Sequence, residues 1–340
     1  MSQNASYRLA DASILSVSTV EAPEVVTSDY LDELLQPAYA KTGVAAGQLT
    51  RLAGVHTRRW FGKDEDFTDG AVEAGRRALA DAGVAADRIG LVINASVTRP
   101  HLEPGISAKV HHELGMPRNC MVFDVTNACL GVVNAMQIAG TMIDSGQIDY
   151  ALVVASEGSR QMQESSIDRL TSNGATKQDV KEAFATMTLG SGAVGLVLGR
   201  ASAHPEGHRI VGGVTRAGTE HHELCIGGMD GMRTEATKLF VEGLSLATDA
   251  WEDARDEWDW TEMDWYIAHQ TSTAHIASLC KVLDLPPSKF PMTVAEYGNI
   301  GPVALPFTLG LHQHLFNKGD RMLLMGIGSG LNTSYTEVTW

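Results

Sequence analysis

Asn127-Ala128-Cys129-Leu130-Gly131 is a short turn between two apolar segments of the chain. The run 120–125 before it predicts a buried strand, and the run 132–140 after it predicts a buried helix. A cysteine at such a turn lies near the positive end of the helix dipole, which favours the nucleophilic thiolate. Because Ala128 and Gly131 are small, a bulky acyl group could approach the sulfur. The turn therefore suggests covalent catalysis through a thioester on Cys129.

The cysteine alone leaves a second interpretation open, since an apolar cysteine is commonly a small buried hydrophobe. Cys120, Cys225 and Cys280 lack the strand-to-helix context, and we interpret them as structural. No two cysteines have CxxC spacing. Four cysteines in 340 residues favour a reducing compartment, with neither a disulfide framework nor a zinc site.

Composition narrows the class of protein. Hydrophobic residues make up 44% of the chain, and 26 basic against 41 acidic side chains give a net charge of −15. This balance argues against nucleic-acid binding, although Arg58-Arg59 could form a local patch that meets a phosphate-bearing ligand. The polar stretch 1–10 lacks the order of a signal peptide. No apolar run approaches the roughly 18 residues of a membrane span, so we expect a cytoplasmic protein without a transmembrane segment.

Strands rich in Val, Ile and Leu alternate with Ala-rich helical stretches along the chain. The apolar runs 89–94, 150–154 and 322–325 are examples of such strands. Near-continuous apolar strands between helices predict an α/β protein whose sheets are covered on both faces.

The chain also contains an internal echo. The features around the cysteine recur in the same order in the second half of the chain: Cys129, Gly131, the strand 151–154 and Gly158 match Asn299, Gly301, the strand 321–324 and Gly328. A second echo pairs 88–96 with 262–270. Together they predict two similar halves, 1–200 and 201–340, connected through 201–210, with a site where the strand ends converge.

Residues 159–185 interrupt this pattern with a polar, helix-compatible excursion. Their composition favours a solvated surface segment. The functional alternative is a cap over a substrate channel.

The duplication places His269 and Asn299 at the same junction as Cys129. A histidine that closes an apolar strand is often structural, and an asparagine in Gly-Asn-x-Gly is often a turn residue. As a Cys/His/Asn set, however, the three suit acyl transfer: the thiolate attacks a thioester, and His and Asn donate hydrogen bonds to an oxygen that becomes negative.

These motifs resemble the thiolase superfamily, and within it the ketoacyl-synthase III branch. The matching segments span nearly the whole chain in the family's order: Ala128-Cys129-Leu130-Gly131, Ala268-His269-Gln270, Gly298-Asn299-Ile300-Gly301-Pro302 and Gly326-Ile327-Gly328-Ser329-Gly330-Leu331-Asn332. The resemblance implies two pseudo-symmetric βαβαβαββ halves in a five-layered α/β/α/β/α arrangement. It also implies a homodimer.

Two departures separate the chain from carrier-protein-dependent synthases. Those enzymes generally read His-Gln-Ala-Asn and Gly-Asp-Gly-Ala, whereas this chain reads His269-Gln270-Thr271-Ser272 and Gly190-Ser191-Gly192-Ala193. The segment 94–104, which contains Glu103, instead resembles the OleA-type enzymes of bacterial olefin biosynthesis. In that family a glutamate matching Glu103 reaches the partner subunit's site as the base. Without the resemblance, a solvated turn glutamate is the better interpretation of Glu103.

The resemblance implies head-to-head Claisen condensation of two long-chain acyl-CoA molecules without decarboxylation, giving a 2-alkyl-3-ketoalkanoic acid. Cys129 would carry the first acyl group, and the backbone N–H groups of Cys129 and Ser329 would form one oxyanion hole. His269 and Asn299 would form the second, with CoA thioesters as substrates and no cofactor. Downstream pathway enzymes are possible partners. The alternatives are a decarboxylating 3-ketoacyl-carrier-protein synthase III and an inactive subunit of a heteromeric condensing complex.

Overall fold

The computed structural model of the protein describes residues 6–172 and 174–340. Residues 1–5 of the polar N-terminal stretch, and Asn173 of the 159–185 excursion, lie outside the described residues.

The strands are numbered in chain order as β1 Ser6–Arg8, β2 Ser13–Glu21, β3 Glu24–Thr27, β4 Thr57–Trp60, β5 Leu91–Asn94, β6 Met121–Asp124, β7 Tyr150–Glu157, β8 Gly192–Gly199, β9 His208–Ala217, β10 Cys225–Gly228, β11 Gly231–Thr234, β12 Trp265–Ala268, β13 Arg321–Gly328 and β14 Asn332–Thr339. The α-helices are α1 Ser28–Thr42, α2 Asp69–Ala82, α3 Ile106–Glu113, α4 Gly131–Asp144, α5 Arg160–Thr171, α6 Lys177–Glu182, α7 Phe184–Met187, α8 Ala236–Ala254, α9 Thr273–Leu283, α10 Val294–Tyr297 and α11 Ala304–His312.

The main sheet contains two runs of strands with matching order. One run is β2-β8-β7-β5-β6, and the other is β9-β14-β13-β12. In both, the first two pairings are antiparallel and the next is parallel. The runs join where β2 meets β9, at the pairs Ser13↔Arg209 and Ile14↔His208. The sequence echoes fall on equivalent strands, β7 with β13 and β5 with β12.

Helices cover both faces of each run. α4 and α11 lie between the two runs, where Val133, Met136 and Phe307 are buried in the largest apolar cluster. α2 and α3 pack on the outer face of the first run, and α8 and α9 on the outer face of the second. This order of helix, sheet, helix, sheet and helix is the predicted five-layered α/β/α/β/α arrangement.

Three expectations about individual segments need correction. The predicted buried strand 120–125 is β6, which ends the sheet and leaves Met121 and Val122 exposed at 46% and 40%. An apolar run does not distinguish a covered strand from one at an edge. The predicted connection 201–210 ends earlier, because β9 begins at His208.

The described part of the excursion 159–185 is only partly a solvated segment, because Lys177, Gln178 and Lys181 are exposed but one face of its first helix is buried. It forms α5, α6 and α7, and α5 buries an apolar face that includes Met162, Ile167 and Leu170. Composition misled here because the buried residues are spaced at helical intervals among many polar ones.

Candidate active site

A largely apolar cavity of about 410 Å³ lies at the junction of the two halves. Cys129, His269, Asn299 and Ser329 all line it. The remaining wall comes mainly from α7, the hairpin β10–β11, α8 and the start of α9, with the following apolar side chains: Leu52, Phe184, Met232, Leu239, Phe240, Ile327 and Leu331. The structure therefore brings together four of the five predicted site residues.

Cys129 stands at the start of α4, as the sequence pattern predicts. Ala128 before it has φ +46°, a left-handed conformation that side chains rarely adopt and that often marks functional turns. The sequence analysis expected Gly131 to leave room for an acyl group. Its small size instead allows a close backbone contact, since a Cβ there would lie 2.6 Å from the carbonyl oxygen of Ala95. The glycine allows α4 to start directly against the end of β5, which fixes the position of the sulfur.

The expected thiolate character of Cys129 is not what the structure supports. Burial raises the pKa of the Cys129 thiol, and the nearby Cys225 and Glu157 raise this pKa further. Desolvation of the sulfur outweighs the favourable dipole of α4. The free site therefore holds a neutral thiol, which must lose its proton as it attacks a thioester.

His269 follows β12 directly, and its backbone N–H donates to the Met325 carbonyl 2.8 Å away on the neighbouring strand. Its ring is buried, and neither nitrogen has a hydrogen-bond partner among the described residues. Burial lowers the pKa of His269 to about 3, with a smaller effect from His275. The imidazole is thus neutral, and its one N–H group is free to donate a hydrogen bond to a substrate oxygen.

Asn299 is fixed by its backbone and by its own amide oxygen. Its N–H donates to Thr188 O at 2.9 Å, and its Oδ1 accepts from the Gly301 N–H at 2.9 Å. Gly298 permits this turn, because it has φ +68° and a Cβ there would lie 2.6 Å from Thr188 O. With Oδ1 occupied, the NH₂ group of Asn299 is the part of the side chain that can donate to a substrate oxygen.

Ser329 belongs to the turn after β13, which packs against the cysteine turn. A Cβ on Gly328 would lie 3.2 Å from the backbone N of Cys129. This close approach brings the Ser329 and Cys129 main chains to the same side of the cavity.

Glu103 is the predicted site residue that does not lie at the cavity of its own chain. It lies in the loop 95–105 between β5 and α3, it is exposed, and it is absent from the cavity lining. Leu102 beside it is 91% exposed.

Two cavity residues escaped the sequence analysis. Cys225, which the sequence analysis interpreted as structural, in fact lines the cavity. Its Sγ contacts Thr234 Oγ1 at 3.5 Å. His275 also lines it, and burial lowers its pKa to about 4. The position of His275 on the first turn after His269 was a usable signal, whereas nothing local to Cys225 indicated the cavity.

The Arg58-Arg59 pair is not an open basic patch. Arg58 is fully buried and donates to Ser28 Oγ and Met187 O, each at 3.0 Å. Arg59 pairs with Glu21 at 3.1 Å. Alternation along β4 turns the first arginine into the core, so the predicted phosphate contact at this pair is wrong for Arg58.

Over residues 6–172 and 174–340, no cluster of three or more His, Cys, Asp or Glu side chains could hold a metal ion. None of the described helices is long and apolar enough to cross a bilayer.

A cysteine thiol, a neutral imidazole and a carboxamide donor at one apolar cavity define an enzyme that transfers acyl groups through a cysteine thioester. The thiolase N-terminal domain family matches residues 59–201 of the chain, and the C-terminal family of 3-oxoacyl-[acyl-carrier-protein] synthase III matches residues 254–340.

Whole-chain relatives narrow the class further. The chain is 40% identical over 334 residues to the acyl-CoA:acyl-CoA alkyltransferase of Xanthomonas campestris, covering 97% of this chain and 99% of that protein. A Shewanella oneidensis protein of the same name is 33% identical, covering 94% and 96%. An OleA variant from Xanthomonas campestris with bound lauric acid and lauroyl-CoA has a TM-score of 0.95 at 40% identity, covering 98% and 100%. A Xanthomonas oryzae structure named 3-oxoacyl-(acyl carrier protein) synthase III gives the same four values: 0.95, 40%, 98% and 100%.

The chain belongs to the thiolase superfamily, in the OleA group of acyl-CoA:acyl-CoA alkyltransferases. This membership confirms the predicted family and thiolase-like fold, and it makes the chain an acyltransferase.

Proposed function

We propose that the protein condenses two long-chain acyl-CoA molecules head to head, without decarboxylation, and releases a 2-alkyl-3-ketoalkanoic acid and CoA. The observation that carries the proposal is the convergence of Cys129, His269 and Asn299 on one apolar cavity. The cavity wall suits an alkyl chain, and the three side chains suit thioester chemistry. The OleA relatives bear the name of this reaction.

In the first step, Sγ of Cys129 attacks the thioester carbon of one acyl-CoA. The thiol proton passes to the departing CoA sulfur as the carbon–sulfur bond of the substrate breaks, so atoms and charge balance. Backbone N–H groups of Cys129 and Ser329 stabilise the oxygen that becomes negative. The acyl chain then lies in the apolar cavity as a thioester.

In the second step, Glu103 removes an α-proton from the second acyl-CoA. An unactivated thioester needs such a base, because no carboxylate is lost to generate the carbanion. His269 and Asn299 donate to the enolate oxygen. The carbanion forms a carbon–carbon bond to the acyl carbon on Cys129 and displaces the sulfur as a thiolate, which regains the proton that Glu103 removed. Water then hydrolyses the remaining CoA thioester, which releases the acid and the second CoA.

The exposed position of Glu103 fits action across a homodimer. β6, at the edge of the sheet, pairs with β5 and exposes Met121 and Val122, and Leu102 projects from the loop that carries Glu103. Such an apolar edge favours pairing with a second copy. In that dimer, Glu103 would enter the partner's cavity.

The remaining features of the proposal follow from this chemistry. CoA enters as part of the substrates, so no step requires a separate cofactor. We propose a cytoplasmic location and a place in long-chain lipid metabolism leading to olefins, with downstream enzymes that consume a β-keto acid. The alternative is a decarboxylating ketoacyl synthase III, an activity whose name one close structural neighbour bears.

The test uses Glu103→Ala and Cys129→Ala proteins, separately and after subunit exchange. Glu103→Ala should release one equivalent of CoA but give no condensed product. Mixed dimers have one site with both groups and one with neither, so random exchange should restore about a quarter of wild-type activity. No recovery after verified exchange would overturn action across the interface. Full activity of Glu103→Ala alone would overturn the assignment of the base.

A further inference from the structure

The loop 95–105 is held at both ends by carboxylates. This loop follows β5, which lies between β7 and β6 in the sheet. The two flanking strands each end in an acidic residue, Glu157 on β7 and Asp124 on β6. Neither residue lines the cavity.

Glu157 binds the start of the loop. It is only 5% exposed, and its two carboxylate oxygens accept from the backbone N–H groups of Val97 at 2.6 Å and Thr98 at 3.1 Å. Thr98 Oγ1 in turn accepts from the N–H of Gly158 at 3.0 Å. The first residues of the loop are therefore fixed to the end of β7 by three hydrogen bonds.

Asp124 binds the other end. Its carboxylate accepts from the N–H groups of Ile106 at 3.1 Å and Ser107 at 3.0 Å, at the start of α3. Asn94 at the end of β5 donates to the same carboxylate at 2.9 Å. Glu103 is thus an exposed side chain on a backbone whose two ends are anchored.

Glu157 differs from Asp124 because it also lies close to the turn that carries Asn299. Its charge contributes to the raised pKa of Cys129. A Cβ on Gly301, in the Asn299 turn, would lie 3.6 Å from the Glu157 Cδ. Burial raises the pKa of Glu157 itself to about 7, an effect that the two N–H groups and Arg99 oppose. One carboxylate therefore binds the loop of Glu103 and lies beside the turn of Asn299.

We infer that Glu157 is a positioning residue, which fixes the loop 95–105 in the register that lets Glu103 reach the α-proton of the second acyl-CoA. The inference rests on the proposed function of Glu103 as the base. Glu157 acts through backbone hydrogen bonds and does not contact the substrate. Its loss should therefore slow proton abstraction and should not slow acylation of Cys129.

The test compares Glu157→Gln with a matched buried control, Glu337→Gln. Glu337 accepts from Trp260 Nε1 at 2.9 Å and Arg321 Nε at 3.0 Å, far along the chain from the loop. A glutamine at 157 has one acceptor oxygen and would turn its NH₂ group toward a backbone N–H. We expect exchange of α-deuterium from labelled acyl-CoA to slow about 100-fold, as for a misplaced catalytic group, with the first release of CoA no slower than in the wild type. Glu337→Gln should change neither.

A double-mutant cycle with Glu103→Ala separates the inference from the proposed function. If Glu157 acts through Glu103, the double variant should exchange no more slowly than Glu103→Ala alone. Multiplicative losses, or wild-type exchange in Glu157→Gln, would overturn the inference only. Wild-type exchange in Glu103→Ala would overturn the base assignment and the inference with it. If Glu157→Gln does not fold, Thr98→Val removes the bond from Gly158 and should slow exchange in the same direction, and unchanged exchange there would contradict the inference.

Discussion

At Cys129, burial and the dipole of α4 act on the thiol in opposite directions. The helix start favours the thiolate, but desolvation raises the pKa of the thiol. The thiol must therefore lose its proton as it attacks the substrate, and not before. A second thiol, Cys225, lines the same cavity. The two cysteines share a cavity but differ in position, since Cys129 alone stands at the start of a helix.

This difference predicts distinct outcomes for the two thiols. Cys129→Ser should abolish turnover, because an unassisted hydroxyl is a far poorer nucleophile than a thiol at neutral pH. Cys225→Ser should retain the acyl-enzyme. Peptide mass spectrometry after incubation with acyl-CoA should find the acyl mass on the peptide that contains Cys129. An acyl group on the Cys225 peptide would contradict the assignment.

The buried histidines predict how stability depends on pH. Burial lowers the folded-state pKa of His269 to about 3 and of His275 to about 4, from 6.5. At acidic pH the unfolded chain therefore binds more protons than the folded chain. The contribution of the two neutral histidines to the free energy of unfolding is complete above pH 6.5 and is lost as the pH falls toward 4. Each contributes a slope of up to about 1.4 kcal/mol per pH unit in that window.

Urea unfolding at several pH values measures this slope. His275→Asn should flatten the dependence between pH 6.5 and 4, and the control His222→Asn at the surface should not. An unchanged slope in His275→Asn would show that His275 is not held neutral by the fold.

At the level of single elements, periodicity predicted the strands and helices that form the site. β5, β7, β12 and β13 appear where the apolar runs indicated them, and α4 follows the cysteine turn. The same patterns could not show how far each element is covered. β6 is as apolar as its neighbours, and it is an edge strand because nothing in the described chain pairs with its other side.

Gly131 offers a test of the contact that fixes the start of α4. A Cβ there would lie 2.6 Å from a backbone oxygen, which cannot move without shifting β5. We expect Gly131→Ala to lower the free energy of unfolding by about 1–3 kcal/mol, as for overpacking, and to slow acylation. Gly228→Ala is the control, since a Cβ at that site meets nothing within 4 Å. Equal stability of the two variants in urea would contradict the close contact.

For the whole molecule, the internal echo predicted that Cys129, His269 and Asn299 converge, and the structure confirms that they do. Each of these three residues lies in a short motif that the echo identifies, so the sequence alone was sufficient to find them. Cys225 enters the cavity through the packing of a hairpin from the other half, which no local pattern indicates. The boundary between residues 200 and 201, the role of Glu103 and the dimer remain predictions.

A substitution on the edge strand β6 tests whether the protein forms the proposed dimer. A lysine on an unpaired edge opposes strand pairing, so Val122→Lys should yield a monomer in light scattering. If Glu103 acts in the partner's site as proposed, that monomer should still release one equivalent of CoA but form no condensed product. Val282→Lys, at an exposed valine of α9, is the matched control and should remain dimeric. A dimer of normal activity in Val122→Lys would place the interface elsewhere.

The product formed from a single acyl-CoA shows whether the enzyme condenses two acyl chains without decarboxylation. The protein is incubated with one long-chain acyl-CoA and no malonyl donor, and the product is analysed by mass spectrometry. We expect a β-keto acid, or the ketone that it forms on losing carbon dioxide, that contains the carbons of two acyl chains. A product that forms only when a malonyl thioester is added, with release of that donor's labelled carboxylate as carbon dioxide, would contradict condensation without decarboxylation.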